Sequence, residues 1–375
     1  DYSLKLSSGE HKIGLKVSDD RKQGYTEKAV TIPEGENFAV MQKVIEVDPD
    51  ELYPERKLGI PIKGINYHIG RRFIGYYGVP PTELEMEEAL TIIRNELGCN
   101  AIKIYGDYED LMITCAKKSF DKNFKTIILS PRYSKKNPSE DMDIEGHIEN
   151  IIEFSKIAEN LRKKSDSIIL SVGDELTISV RGITGGLTYE ERVKEMKDKW
   201  TDITYQNKLN LYLKKIIKGV RENFKGKITY ASAGGERFGI NWDDLDFDII
   251  GPHYYIAKEW YTKEEMIKTL LSYKKYNKPI YITEFGCSSY EGASRWGGGG
   301  FFNYTNQKYS QKEQAQTIEE SIKVYEQAHV DGIFLWEFIE RFGDDAKSLG
   351  IIKYNEDNPM ERKLGFYMYK SYQTL

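Results

Sequence analysis

The chain has 375 residues, 39% hydrophobic and 30% charged, which is enough to bury a sizeable core and too polar for an unbroken membrane-spanning run. Its 54 basic and 59 acidic residues give a net charge of −5, with no Lys/Arg block interleaved with aromatics, so nucleic acid is a poor candidate partner. Three widely spaced cysteines, Cys99, Cys115 and Cys287, make neither a disulfide framework nor a zinc knuckle.

The sequence begins at Asp1 without Met or a signal peptide, which reads as a fragment or a processed form. Residues 2–32 alternate apolar and polar positions in three short runs separated by "SSGE" and "DDRKQG", the pattern of half-buried antiparallel strands. This small β unit resembles the closing strands of a PKD-type immunoglobulin-like domain; a β-meander packed on the main domain is the alternative. The resemblance implies an extracellular or cell-surface location and tethering to further domains N-terminal of the chain. A charged, Pro-containing stretch follows, so the expected division is an appendage at 1–34, a linker at 35–58 and a main domain at 59–375.

From residue 60 onward, apolar strands alternate with helical periodicity, the sign of parallel βαβ units. Eight strands are expected: 60–68, 100–106, 125–131, 168–175, 227–233, 247–255, 279–286 and 332–338. Between them, "TELEMEEALTIIRNELG" opens with Thr82 as N-cap, and two further segments show the period of 3.6. The fold class is therefore α/β, a (β/α)8 TIM barrel with a small N-terminal antiparallel β appendage. A doubly wound sheet is disfavoured because no glycine fingerprint follows the first strand.

Active sites of such barrels lie at the C-terminal strand ends. Here those ends are polar and aromatic: His68 closes the first strand, Asp174 and Glu175 the fourth, His253, Tyr254 and Tyr255 the sixth, Glu284 the seventh, Trp336 and Glu337 the eighth, with Asp107 and Arg132 after the second and third. Carboxylates from strands four and seven face each other across the mouth, as glycoside hydrolysis requires.

These residues resemble the clan A glycoside hydrolases, the group that includes family 5 cellulases and mannanases. The resemblance implies a retaining enzyme acting on a β-linked glycan, with Glu175 as acid/base, Glu284 as nucleophile, His253 shaping the sugar site, Tyr255 bonded to the nucleophile and Trp336 under the reacting sugar. Asp174 departs from the clan's usual Asn, and a carboxylate there favours a 2-amino sugar; the alternative is a structural pair with Arg132 or Arg181. "VGDELT…RG" and "ITEFG" also resemble barrel proteins labelled abortive-infection proteins, which keeps open a non-hydrolytic, glycan-binding or phage-defence-related module. No metal or organic cofactor and no membrane partner is expected, although Asp107, Asp174, Glu175, Glu284 and Glu337 are an alternative metal set. The glycine-rich stretch 291–304 is expected either as a mobile lid, with Trp296 or Phe301 stacking on sugar, or as a plain surface loop.

Overall fold

The computed structural model describes residues 9–19, 22–32, 49–69, 72–73, 76–77, 80–133, 142–197, 199–234, 236, 239–340, 346–353 and 360–374. The chain divides into two compact units, Asp1–Asp48 and Pro49–Leu375. In the first, Gly9–Asp19 and Lys22–Ile32 form an antiparallel hairpin in continuous register, from Gly9 opposite Ile32 to Asp19 opposite Lys22. The first of the three expected runs, the last two residues of the expected appendage (33–34) and residues 35–48 of the expected linker lie outside the described residues.

The second unit contains eight parallel strands: β1 (Ile62–Ile69), β2 (Ala101–Gly106), β3 (Thr126–Pro131), β4 (Ile168–Asp174), β5 (Lys227–Ser232), β6 (Gly251–Pro252), β7 (Tyr281–Phe285) and β8 (Gly332–Leu335). Their order is β6-β5-β4-β3-β2-β1-β8-β7, and two isolated parallel bridges, Ile250 with Ile280 and His253 with Glu284, join the last pair into a ring. This is the expected TIM barrel. The sixth strand is much shorter than the expected 247–255. Pro252 has no N–H to give to a ladder, and the chain beyond it is held by single bonds, His253 N to Ser232 O at 2.8 Å and Tyr254 N to Glu284 O at 2.9 Å.

Helices α1 (Glu83–Thr91), α2 (Glu109–Asp121), α3 (Ile144–Arg162), α4 (Tyr189–Met196), α5 (Ile203–Asn223), α6 (Lys263–Ser272), α7 (Gln311–Gln327) and α8 (Leu364–Ser371) surround the strands. Thr82, Thr188 and Thr262 each start a helix with a reciprocal capping box to Glu85, Glu191 and Glu265, satisfying amides that have no partner in the first turn. Between β5 and β6 no described residue is α-helical, and the crossover instead buries Trp242, Leu245 and Phe247. No helix among the described residues is long and apolar enough to cross a membrane.

The barrel's interior changes character along its axis. Ala101, Ile128, Ile169, Ile249, Tyr281 and Phe334 form one apolar cluster. Two residues further along the strands, and so on the same face, stand Lys103, Ser130 and Ser171, all buried. The polarity of this upper layer sets the chemistry of the mouth.

Candidate active site

Strict alternation would not deliver Asp174 and Glu284 to the mouth. In β4, Ile169 and Ser171 take inward positions, so Asp174 falls on the outward parity. The register then slips: Ser171 pairs with Thr229 but Asp174 with Ala231, three residues of β4 against two of β5. The same slip occurs in β7, where Ile282 pairs with Ile333 and Phe285 with Leu335. An extra residue re-aims the side chains at and beyond it: the first bulge ends at Asp174, immediately before Glu175, and the second includes Glu284.

Asp174 is buried, and its Oδ2 accepts from Lys103 Nζ at 2.9 Å and from Ser130 Oγ at 3.3 Å. The same ammonium lies 2.9 Å from Glu284 Oε1. The cation beside Asp174 is thus Lys103, from β2, which the strand-end reading missed; Arg132 donates to the Tyr105 hydroxyl at 2.8 Å, and Arg181 lies 3.9 Å from Asp143. A charged residue in phase with Tyr105 inside the buried strand "NAIKIYG" was the available signal.

Glu284 receives more than Lys103. Tyr255 donates its hydroxyl to Oε2 at 3.1 Å, and His253 Nε2 lies 3.3 Å from Oε1. His253 Nδ1 is 3.1 Å from Glu175 Oε1, so one buried imidazole touches both glutamates. Burial raises the pKa of Glu284, and His253 and Lys103 pull it down without returning it to the ordinary carboxylate value. Burial alone would depress Lys103, but Asp174 and Glu284 outweigh it and raise the ammonium above its usual pKa. The same contest in His253, burial against Glu284, Asp174 and Glu175, ends with its pKa raised. Tyr255 stays a neutral donor, because burial and the neighbouring carboxylates push its pKa well above 10.

Glu175 is the exposed member, with 25% of its side chain open, while Glu284 keeps 9%. It sits in the left-handed region, φ 48° and ψ 48°, at the start of the short helix Leu176–Ser179.

His68 on β1, Tyr105 on β2, and Trp336 and Glu337 just beyond β8 form a second group. The His68 ring is 5.3 Å from Tyr105 and 5.9 Å from Trp336, with its Nδ1 3.5 Å from Glu337 Oε2. The Lys103 ammonium joins the two groups, 5.4 Å from the Tyr105 ring and 5.9 Å from that of Trp336. Gly286 lets the end of β7 approach this group, since a Cβ there would meet Trp336 O at 2.3 Å. Asp107 lies half-buried just beyond β2.

Of the expected metal set, Asp174 and Glu284 come together with His253, each offering one ligand atom within 4.8 Å of the others. The cation there is Lys103, which already pairs with both carboxylates.

The glycine-rich stretch contains a short 3-10 helix, Gly297–Asn303, laid on Tyr255: a Cβ on Gly297 or Gly298 would come within 3.1–3.2 Å of that side chain. Tyr290 pins it by donating to Gly300 O at 2.8 Å. Aromatic pairs flank it, Trp296 against Trp260 at 6.2 Å and Phe302 stacked on Tyr189 at 6.4 Å. Trp260 is 55% exposed and Phe302 48%.

No curated protein matches this chain by sequence. Residues 200–354 match the model of Glycoside Hydrolase Family 113. Among solved structures, a family 113 β-1,4-mannanase is 16% identical, with a TM-score of 0.54 over 84% of this chain and 99% of that one. The family 113 β-mannanase of Alicyclobacillus acidocaldarius is 13% identical, at TM-score 0.52 over 84% and 96%. The β-glucuronidase of Ruminococcus gnavus is 13% identical, at TM-score 0.53, and covers 96% of this chain but 56% of its own. At these identities the structural likeness is one of fold.

Proposed function

We propose that this chain, a glycoside hydrolase of the clan A barrel type, cleaves a β-linked oligosaccharide with retention, using Glu284 as nucleophile and Glu175 as acid/base. The observation that carries the reading is the asymmetry of the pair. Glu284 is buried and held by Lys103, His253 and Tyr255; Glu175 opens to solvent, where a leaving group departs and water arrives. Glu284 attacks the anomeric carbon while the Glu175 proton passes to the departing glycosidic oxygen, giving a glycosyl ester and a Glu175 carboxylate. Water then attacks the anomeric carbon, its proton returns to Glu175, and the sugar leaves with Glu284 restored. Trp336 supplies an apolar face for the reacting ring.

The neighbours' names offer β-mannan and β-glucuronide substrates. Asp174, Glu175, Glu284 and Glu337 outnumber Lys103 and His253 at the mouth, which disfavours a uronate. Pairing with Lys103 also offsets the charge of Asp174, so a neutral sugar leads, with β-mannoside first. The 2-amino reading of Asp174 forms the second arm of the same test. The exposed rings of Trp260 and Phe302 extend the site toward an oligosaccharide.

Proton NMR of the first-formed anomer on aryl β-mannoside, β-glucoside, β-glucosaminide and β-glucuronide tests the reading. A β product from the mannoside, lost in Glu284→Gln with sugar binding kept, is the expected result. An α product overturns retention, a strong preference for the glucosaminide moves the substrate to amino sugars, and binding without turnover across the panel establishes the non-hydrolytic module.

A further inference from the structure

A buried acid outside the catalytic pair holds the turn that presents Glu175. The chain after Glu175 begins the four-residue helix Leu176–Ser179, whose first amides need acceptors from outside the helix. The residue at such a helix start commonly provides one with its own side chain. Glu175 does not; its side chain makes no cap bond. Glu236, in the loop after β5, does so instead. Its Oε1 accepts from Thr177 N at 2.7 Å and from the Thr177 hydroxyl, and its Oε2 accepts from Ala233 N at 2.9 Å and from the Tyr230 hydroxyl at 2.6 Å. Tyr230 in turn accepts from Leu176 N at 2.8 Å. The two amides that follow Glu175 therefore end on one buried carboxylate, one directly and one through a phenol.

We propose that Glu236 is a positioning residue for general-acid catalysis: with Tyr230 it supplies the cap that Glu175 would otherwise provide, leaving the Glu175 carboxyl free to serve the leaving group. The proposal rests on the assignment of Glu175 as acid/base. A left-handed backbone at a non-glycine residue is unfavourable and persists where its surroundings over-determine it. Here they do, through Glu175 N to Ala231 O at 2.9 Å on one side and the Glu236 network on the other. Both oxygens of Glu236 face a backbone N–H, so glutamine cannot replace it without turning an NH2 group against the amide of Thr177 or Ala233.

The test compares kcat/KM for two substrates of the same glycone in wild type and Glu236→Gln: an unactivated oligosaccharide, whose leaving group needs the proton, and a 2,4-dinitrophenyl glycoside, whose leaving group does not. The expected result is a loss of about tenfold or more on the oligosaccharide and less than about twofold on the dinitrophenyl glycoside. Equal losses on both make Glu236 merely structural and overturn the proposal, as does no loss on either. Tyr230→Phe removes the relay to Leu176 N and one of the four donors to Glu236 while keeping the bonds to Thr177, and carries the same test, with a smaller split, should Glu236→Gln not fold. Absence of activity in wild type on both substrates would sink the hydrolase reading instead, so the two failures are distinguishable.

Discussion

Lys103 Nζ stands 2.9 Å from Asp174 Oδ2, inside a barrel where the ammonium is wholly buried and the carboxylate nearly so. Asp174 is therefore one half of an ion pair whose ammonium also holds Glu284.

Lys103→Met leaves two buried carboxylates without their shared cation. As the proposed nucleophile, Glu284 must be ionised to attack, and losing Lys103 raises its pKa further, so the acid limb of the kcat/KM profile should move to higher pH. Stability falls by about 3–5 kcal/mol, the usual cost of breaking a buried pair from one side. Lys103→Met combined with Asp174→Asn removes one charge of each sign and recovers part of both losses. A pH profile and a melting curve for the three variants measure this, and strictly additive effects refute the coupling.

His147, on α3, lies fully buried with its Nε2 3.0 Å from Val172 O, and burial lowers its pKa to about 4. The unfolded chain takes up this proton near pH 6.5 and the folded one only near pH 4. Stability is therefore lost as pH falls through that window, by up to about 3 kcal/mol at one pKa unit per 1.4 kcal/mol. Urea unfolding of wild type between pH 7 and 4 should show that slope, and His147→Gln should flatten it.

Gly286→Ala places a methyl 2.3 Å from Trp336 O, a backbone atom that cannot swing aside. The end of β8 must move, and with it the ring assigned to the reacting sugar. The expected cost is about 1–3 kcal/mol of stability and a drop in kcat on aryl glycosides; wild-type kcat would show that Trp336 has no bearing on the chemistry.

Trp260→Ala and Phe302→Ala act on exposed rings, so melting temperature should barely change. If these rings extend the site, kcat/KM falls by about fivefold to tenfold on a hexasaccharide, roughly 1–1.5 kcal/mol of stacking, and stays at the wild-type value on an aryl monoglycoside. Equal rates on both substrates remove these residues from the binding surface.

Most of the barrel was legible because parallel strands buried on both faces read as apolar runs punctuated by helical periods. The strand ends were legible too, since polar and aromatic residues there have no packing reason to gather. Lys103 was not: it lies inside a strand, two residues below its polar end, and only the fold shows that the space between Asp174 and Glu284 is where its ammonium goes. Glu236 was hidden because a loop acid in "AGGERF" looks solvated until its four donors are in place. The bulges of β4 and β7 were hidden as well, because they are relations between strands that leave no mark on either strand alone.

The ring of strands closes through His253 and Glu284. At this seam a fastener of the barrel and the proposed nucleophile share a backbone, with Tyr254 N donating to Glu284 O at 2.9 Å. A sugar analogue that grips Glu284 and Tyr255 should therefore act as a rivet across this stave joint of the cask. Protection of the Tyr254 amide against exchange becomes a reporter of occupancy, and inhibitors of this enzyme should double as its stabilisers.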